Sequence, residues 1–394
     1  MYYIIKDLLK VSIMCFMRFL CLAFCIIPIK KNRIVLSSFN KRFACNQKYL
    51  FLELYEKHKD SLEFIFVIDK ESDELNRYKN IKKIKFLSFQ FFYYVMTSKV
   101  YVSGATIEPF LPKRKNQFFV CTWHGTAYKS LSPNSNSISK GRIKLTYDLV
   151  YVLRRKSTNF ILSPNYRFIK DIAQYWRVDE SVFLKIGYPR NDLFFKENND
   201  KLISKIKEKL KIDKNLGVVL YAPTFRGNFR NTDDFAVELN IEETLKSLEK
   251  RFNKKFIFLF RGHHLALGKF KISESVINVD WYEDMQELLL ISDVLITDYS
   301  SSSWDFYLTK KPVFLYVPDL DDYIKNQGLC VTMEEMPSLY ALSNEEMQKN
   351  IEKFNYDDYL SRIEKHFNEM GSYENGTASR QLGDLIMQNI NNGK

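Results

Sequence analysis

Short, almost continuously apolar runs alternate along this chain with longer amphipathic stretches, and that alternation most constrains the fold. RIVLSSF (33–39), EFIFVID (63–69), KVYVSG (99–104), QFFVCTW (117–123) and NFILSP (159–164) read as strands. They are rich in Val, Ile and Phe and close on small or polar residues. Helical patterns lie between them, for instance over 139–154 and 166–176. A second series follows, with GVVLYAP (217–223), KFIFLFR (255–261), VINV (276–279), DVLITDYS (293–300) and PVFLYV (312–317) separated by helix-like segments at 199–211, 240–252, 284–291 and 301–309. Strands that are apolar throughout, rather than at every second residue, are covered on both faces, as in parallel sheets flanked by helices. The two series meet near GYPRNDLF (187–194). The expected fold is therefore α/β, with two Rossmann-like domains whose parallel sheets face a cleft. The expected divisions are a membrane-associating helix over 1–29, a first domain over 30–195, a second over 196–375, and a C-terminal helix over 376–394 that packs back on the first domain.

Residues 12–29, SIMCFMRFLCLAFCIIPI, carry Arg18 as their one charge. This run is near the lower limit for a spanning helix, and an arginine in its middle is costly in lipid. On a helical wheel Lys6, Asp7, Lys10 and Arg18 share one edge, which suits a helix lying in the membrane interface with its basic edge towards the headgroups. Lys30, Lys31 and Arg33 follow at once. A span, a packed core helix and a cleaved signal are the competing readings. The six cysteines show no C-x-x-C spacing and fit a reducing compartment. Lys and Arg outnumber Asp and Glu by 59 to 47, a net +12 that favours an anionic partner such as nucleic acid, an acidic membrane face or a phosphate-rich substrate. No long basic run or known module supports nucleic acid, so none is expected.

Open parallel sheets bind ligands beyond the carboxyl ends of their strands. Three of the five histidines directly follow predicted strands. In CTWHGTAYKSL (121–131) His124 is placed as a general base, with Gly125, Thr126 and Lys129 suited to a phosphate. A structural histidine beside a turn is the plainer alternative. In LFRGHHLAL (259–267) Arg261 offers a planar fork for phosphate oxygens, and His263 and His264 are adjacent. Two neighbouring histidines without a carboxylate make a poor chelate, so no metal and no cofactor are expected. In the third stretch Asp298 and Tyr299 end a strand, and Ser300, Ser301, Ser302 and Ser303 open the next helix, with Asp305 on it. Such a cluster of amides and hydroxyls reads as a phosphate cradle, and simple helix capping accounts for one or two of its members. LYAPTFRGN (220–228) adds Thr224 and Arg226, and KIGYPRNDLF (185–194) adds Pro189 and Arg190 at the domain boundary. The chain lacks the P-loop, the dinucleotide G-x-G-x-x-G, H-E-x-x-H and G-x-S-x-G, which disfavours four large enzyme classes.

Taken together, WHGT (123–126), GYPRND (187–192), YAPTFR (221–226), FRGHH (260–264) and DVLITDYSSSSWDF (293–306) resemble the CDP-glycerol glycerophosphotransferase family. The resemblance implies a GT-B-like fold and transfer of glycerol phosphate or ribitol phosphate from CDP-glycerol or CDP-ribitol, with release of CMP. It implies an undecaprenyl-linked saccharide or polyol-phosphate acceptor and a peripheral enzyme on the cytoplasmic side of the cell membrane. It also implies that His124 is the catalytic base and that His263 contacts the pyrophosphate, with His264 standing where the family usually has proline. Asp298, Tyr299, Ser300 and Ser301 would bind the donor phosphates. The length looks more like that of primases than of polymerases carrying a long extra N-terminal region. A nucleotide-sugar glycosyltransferase on the same frame, a nucleic-acid binder and a membrane scaffold without catalysis are the other readings.

Overall fold

The computed structural model describes residues 2–126, 144–224, 239–262 and 276–392. The chain forms two units. The first gathers the residues up to His124, the stretch ending at Phe195 and the residues from Ser372 onward; the second is built on Lys196–Gly371 and includes Gly125 and Thr126.

The first unit holds β1 (Lys30–Ser37), β2 (Glu63–Val67), β3 (Ile81–Ile84), β4 (Ser98–Ser103), β5 (Phe118–Cys121), β6 (Phe160–Leu162) and β7 (Phe183–Leu184). They form one sheet in the order β3-β2-β1-β4-β5-β6-β7, and every pairing is parallel. Alternate residues of β1 serve opposite faces. Ile34 and Leu36 join a cluster with Phe51 and Leu54 of the helix Cys45–His58, whereas Val35 packs with Phe91 and Val95 of the helix Phe89–Thr97. That two-sided burial is why the strand reads as continuously apolar.

The C-terminal helix Ala378–Asn391 completes the first unit. Its Leu382, Ile386 and Ile390 recur at helical spacing and enter the cluster around Phe51. Each buried side chain of this kind contributes about 1.5–3 kcal/mol. Asp192 accepts from the backbone N–H groups of Ala378 (3.0 Å) and Ser379 (2.7 Å), supplying the helix start with partners it otherwise lacks. Glu374 accepts from the Tyr188 N–H and from Asn191 Nδ2 (2.8 Å). Most of the GYPRND stretch is thus an internal clasp, a role that its exposed-looking composition does not suggest.

The second unit holds β8 (Gly217–Tyr221), β9 (Phe256–Phe260), β10 (Val276–Asn278), β11 (Val294–Thr297), β12 (Val313–Tyr316) and β13 (Leu339–Ala341). The order β10-β9-β8-β11-β12-β13 is again wholly parallel. Counted from its first strand this is 3-2-1-4-5-6, the Rossmann order, and the first sheet follows the same order with one further strand. Three strands escape the sequence pattern: β3, β7 and β13. All three lie at sheet edges, where strands are short and partly solvated and so lose the continuous apolar run.

The helix Tyr2–Leu22 belongs to the first unit and inverts the usual arrangement of a soluble surface helix. Ile5, Leu8, Leu9, Ile13, Phe16 and Phe19 are exposed along one stripe, while Asp7 and Met14 are buried. Arg18 corrects the expectation of a basic edge facing headgroups. Its Nη1 donates to the carbonyls of Pro109 (2.8 Å) and Leu111 (3.2 Å), outside any strand ladder, so the charge turns inward and the apolar face outward. The segment Asp7–Ile26 is long and apolar enough to cross a membrane, by length and composition.

Candidate active site

The order of each sheet reverses at one point, and there neighbouring loops diverge and leave a crevice beyond the strand ends. In the first sheet that point lies between β1 and β4. His124 is held beside it. Its Nδ1 lies 3.0 Å from the carbonyl oxygen of Gly104, which follows β4. A carbonyl only accepts, so Nδ1 carries the proton and Nε2 presents the lone pair. Phe39, which follows β1, stacks on the imidazole at 3.8 Å between centroids and an interplanar angle of 17°. Arg190 donates from Nη1 to the backbone carbonyl of His124 at 2.7 Å.

The turn that presents His124 is strained. Trp123 has φ 55°, a left-handed conformation that costs a bulky residue about 1–2 kcal/mol. Side chains at the start of the helix Cys45–His58 hold it there. Asn46 Nδ2 donates to the Trp123 carbonyl (3.1 Å), and Gln47 Nε2 donates to Thr122 Oγ1 (2.9 Å). Asn46 Oδ1 also accepts from the Arg190 N–H, so one side chain joins the turn to the GYPRND stretch. Burial pushes the His124 imidazole down to about 4; the Gly104 bond works the other way and the Arg190 charge adds to the depression. The ring is therefore neutral at pH 7 and able to accept a proton.

In the second sheet the reversal lies between β8 and β11, whose carboxyl ends run into Ala222-Pro223-Thr224 and Asp298. The Thr224 N–H donates to both oxygens of Asp298 (2.9 and 2.8 Å), and Thr224 Oγ1 donates to Oδ1 (2.6 Å). Thr297 Oγ1 donates to the Ala222 carbonyl (2.7 Å), closing the same junction. Arg261, at the end of β9, donates from Nη1 to the Tyr282 carbonyl (2.9 Å).

The serine cluster divides by burial. Ser300 and Ser301 are partly exposed, whereas Ser302 and Ser303 are buried. Ser300 Oγ accepts from Ser302 N and Oγ, and Ser303 Oγ donates to the Ser300 carbonyl (2.9 Å), so much of the cluster's hydrogen bonding is internal. The helix it opens, Ser302–Tyr307, has six residues. Tyr299 is buried, stacked on Tyr323 at 3.6 Å, and its hydroxyl donates to Asp319. Asp305 is buried and accepts from Gln286 Nε2 (2.8 Å). Gly125 and Thr126 are buried just after His124. Lys129, Arg226, His263 and His264 lie outside the described residues. Among the described residues no three His, Cys, Asp or Glu groups gather in a way that would hold a metal ion.

Phe39, Gly104, Asn46 and Gln47 are the contributors that motif reading misses. For Gly104 the geometry is explicit: a Cβ there would lie 2.6 Å from the backbone nitrogen of Phe39. The one signal in the sequence is the Asn-Gln pair in the first turn of the helix Cys45–His58, ahead of the apolar run at 49–52.

Two Rossmann-ordered parallel sheets, one with a neutral histidine at its reversal point and the other with a threonine–aspartate junction, define a GT-B-like transferase. The family model described as CDP-Glycerol:Poly(glycerophosphate) glycerophosphotransferase matches residues 19–388, and the chain belongs to that family. It is 29% identical to the teichoic acid poly(glycerol phosphate) polymerase of Bacillus spizizenii strain W23 over 92% of this chain and 93% of that one. With the polymerase of the same description from Staphylococcus epidermidis strain RP62A the identity is 31%, over 92% of this chain and 51% of the relative. The wall teichoic acid polymerase TagF superposes with a TM-score of 0.82 at 27% identity, covering 99% of this chain and 98% of that one. A histidine-to-asparagine variant of TagF soaked with CDPG also gives 0.82. The chain is thus a transferase of the glycerophosphotransferase type, and its exposed apolar N-terminal helix is consistent with membrane association.

Proposed function

We propose that this enzyme transfers glycerol phosphate, or ribitol phosphate, from CDP-glycerol or CDP-ribitol to a polymeric or undecaprenyl-linked acceptor in teichoic acid synthesis and releases CMP. The observation that carries this reading is the family match over residues 19–388, a range that includes both sheet reversal points. In the proposed reaction His124 Nε2 takes the proton from an acceptor hydroxyl. The oxygen forms a bond to the β-phosphorus, and the bond from that phosphorus to the CMP oxygen breaks. Thr224, Arg226, Arg261, His263, His264, Asp298, Tyr299 and Ser300–Ser302 serve the donor side, with Asp305 supporting them. Gly125, Thr126 and Lys129 accompany the base. Positioning and electrostatic stabilisation supply most of the acceleration in phosphoryl transfer.

Residues 30–195 form the acceptor domain and 196–375 the nucleotide domain in this reading. The helix within 1–29 lies on the cytoplasmic face of an anionic membrane, its exposed stripe in the lipid and Lys30, Lys31 and Arg33 near the headgroups. Incubation with CDP-glycerol, CDP-ribitol and UDP-sugars, with released nucleotide measured, tests the donor. CMP release is expected; release of UDP alone would move the enzyme to the glycosyltransferases. His124→Ala should lower turnover by at least ~10². Deletion of residues 1–29 should abolish sedimentation with anionic vesicles, and retained sedimentation would remove the anchor.

A further inference from the structure

The turn that carries Phe39 is fastened by a cation. Lys41 has φ 51°, in the left-handed region, and its side chain folds back onto the end of β1. Its Nζ donates to Ser37 Oγ at 2.9 Å and to the Ser38 carbonyl at 3.3 Å, and its backbone N–H donates to the same carbonyl at 3.2 Å. Ser38 Oγ accepts from the Arg42 N–H (2.9 Å) and donates to the Arg42 carbonyl (2.6 Å). The stretch from Ser38 to Arg42 is thus closed on itself, and Lys41 ties it to the strand. Two groups around the proposed base depend on this tie. The Ser37 carbonyl accepts from the Gly104 N–H at 2.7 Å, and the Gly104 carbonyl holds His124 Nδ1. Phe39 lies inside the closed stretch and is exposed, so the turn rather than core packing fixes the ring that stacks on His124.

The charge of Lys41 is unusual for its setting. The side chain is partly buried, its Nζ lies 4.5 Å from the centre of the Phe86 ring, and among the described residues it makes no salt bridge. Burial lowers its pKa, and Glu108 and then Asp69 oppose that from beyond contact distance. Burial in turn raises the Glu108 carboxyl, with Lys41 the largest opposing influence and Arg154 a smaller one. The Tyr101 hydroxyl donates to Glu108 Oε2 at 3.0 Å and also meets the hydroxyls of Ser37 and Ser103. Ammonium, serine, phenol and carboxyl therefore form one network at the ends of β1 and β4. Withdrawing a cation and an anion from water without direct contact between them costs stability that an apolar pair would not cost. An apolar side chain at position 41 could fill the space, but it could not tie Ser37 to Ser38.

We infer that Lys41 is a positioning residue for the base: it fixes Ser37 and Ser38 so that the Gly104 carbonyl and the Phe39 ring hold His124 in place, with Glu108 as its counter-charge. The route is geometric, because Arg190 is the charged group that acts on the imidazole directly. The inference rests on the transfer reading proposed above, in which His124 takes the acceptor's proton, and adds to it what orients that histidine.

The test compares wild type, Lys41→Met, Glu108→Gln and the double variant, each as the full chain. Histidine ring resonances are followed against pH, with the His124 signal assigned by its loss in His124→Ala, and thermal unfolding and the pH dependence of kcat/KM are measured alongside. In Lys41→Met the loosened turn admits water, so the His124 titration should move upward from about 4 towards the ordinary 6.5. Between pH 8 and pH 5 this variant should lose at least ~10-fold more of its kcat/KM than wild type, with KM for CDP-glycerol unchanged. It should also unfold at a lower temperature, because Glu108 is left without its cation. The double variant removes both charges, so it should recover much of the lost unfolding temperature while His124 still titrates high. It also carries the measurement if Lys41→Met alone does not fold. A His124 titration at the wild-type position in the Lys41→Met or double variant overturns the inference. So does return of the acidic limb together with the unfolding temperature in the double variant, since Lys41 would then be a counter-charge and nothing more. Absence of CMP release from every donor sinks the transfer reading instead, and the ring titration still decides what holds His124.

Discussion

The most direct test of the histidine's environment is Phe39→Ala. The Phe39 ring covers one face of the imidazole at 3.8 Å and is itself 48% exposed, so its removal admits water to His124 with little loss of core. Burial is the largest cause of the depression from 6.5 to about 4, so hydration should move the imidazole back towards 6.5. The depression corresponds to about 3 kcal/mol favouring the neutral ring in the folded protein. In kcat/KM it sets where the acidic limb falls, because that limb reports the free enzyme's base. A base titrating at the depressed value is mostly neutral at pH 5, whereas one at the ordinary value is mostly charged; the two limits differ in rate by about 30-fold at that pH. Wild-type enzyme should therefore keep most of its kcat/KM at pH 5, and Phe39→Ala should lose a large part of it while staying close to wild type at pH 8. Stability has the matching sign. Between 4 and 6.5 the unfolded chain binds the proton that the folded chain refuses, so the contribution is present above 6.5 and is lost as pH falls to about 4. Urea titrations should show that dependence in wild type and a flatter one in the variant. A wild-type acidic limb at 6.5 or above would refute the reasoning.

Gly104→Ala should destabilise by about 1–3 kcal/mol and lower turnover together, because its Cβ meets the immovable backbone of Phe39 and Ser38 and shifts the carbonyl that holds His124; thermal unfolding and initial rates check both. Thr224→Val removes the 2.6 Å hydroxyl bond to Asp298 and should cost about 1–2 kcal/mol, with KM for the donor raised and unfolding still cooperative. For Glu63, burial opposes ionisation, but Arg33, Lys30 and Lys82 outweigh it and hold the carboxyl at about 2. Its contribution is present above about 4.5 and is lost as pH falls to about 2, so Glu63→Gln should cost about 1–2 kcal/mol at pH 7 and progressively less in acid, as denaturant titrations at several pH values would read.

Much of the fold is legible without coordinates because strands buried on both faces must be apolar at every position, and ten of the strands carry that mark. The three unmarked strands lie at edges, where Lys82 of β3 is exposed and Lys83 partly exposed. The helix Cys45–His58 is hidden for a related reason: it buries Asn46, Gln47 and Lys48 along with its apolar side chains, and those polar residues blur the stripe. Residue type and position after a strand single out His124, Thr224, Arg261 and Asp298, because a loop beyond a parallel strand is where such groups accumulate. What only the tertiary structure decided is which of them share a setting and which are committed to the protein itself. Phe39, Gly104, His124 and Arg190 are far apart along the chain and meet because the sheet order reverses between β1 and β4. Arg18, read from its spacing as a headgroup contact, instead satisfies two carbonyls more than ninety positions away. Local pattern records burial and conformation, because those are decided by neighbours in sequence. The partners of Arg18 and His124 are decided by topology, and no short window along the chain contains them.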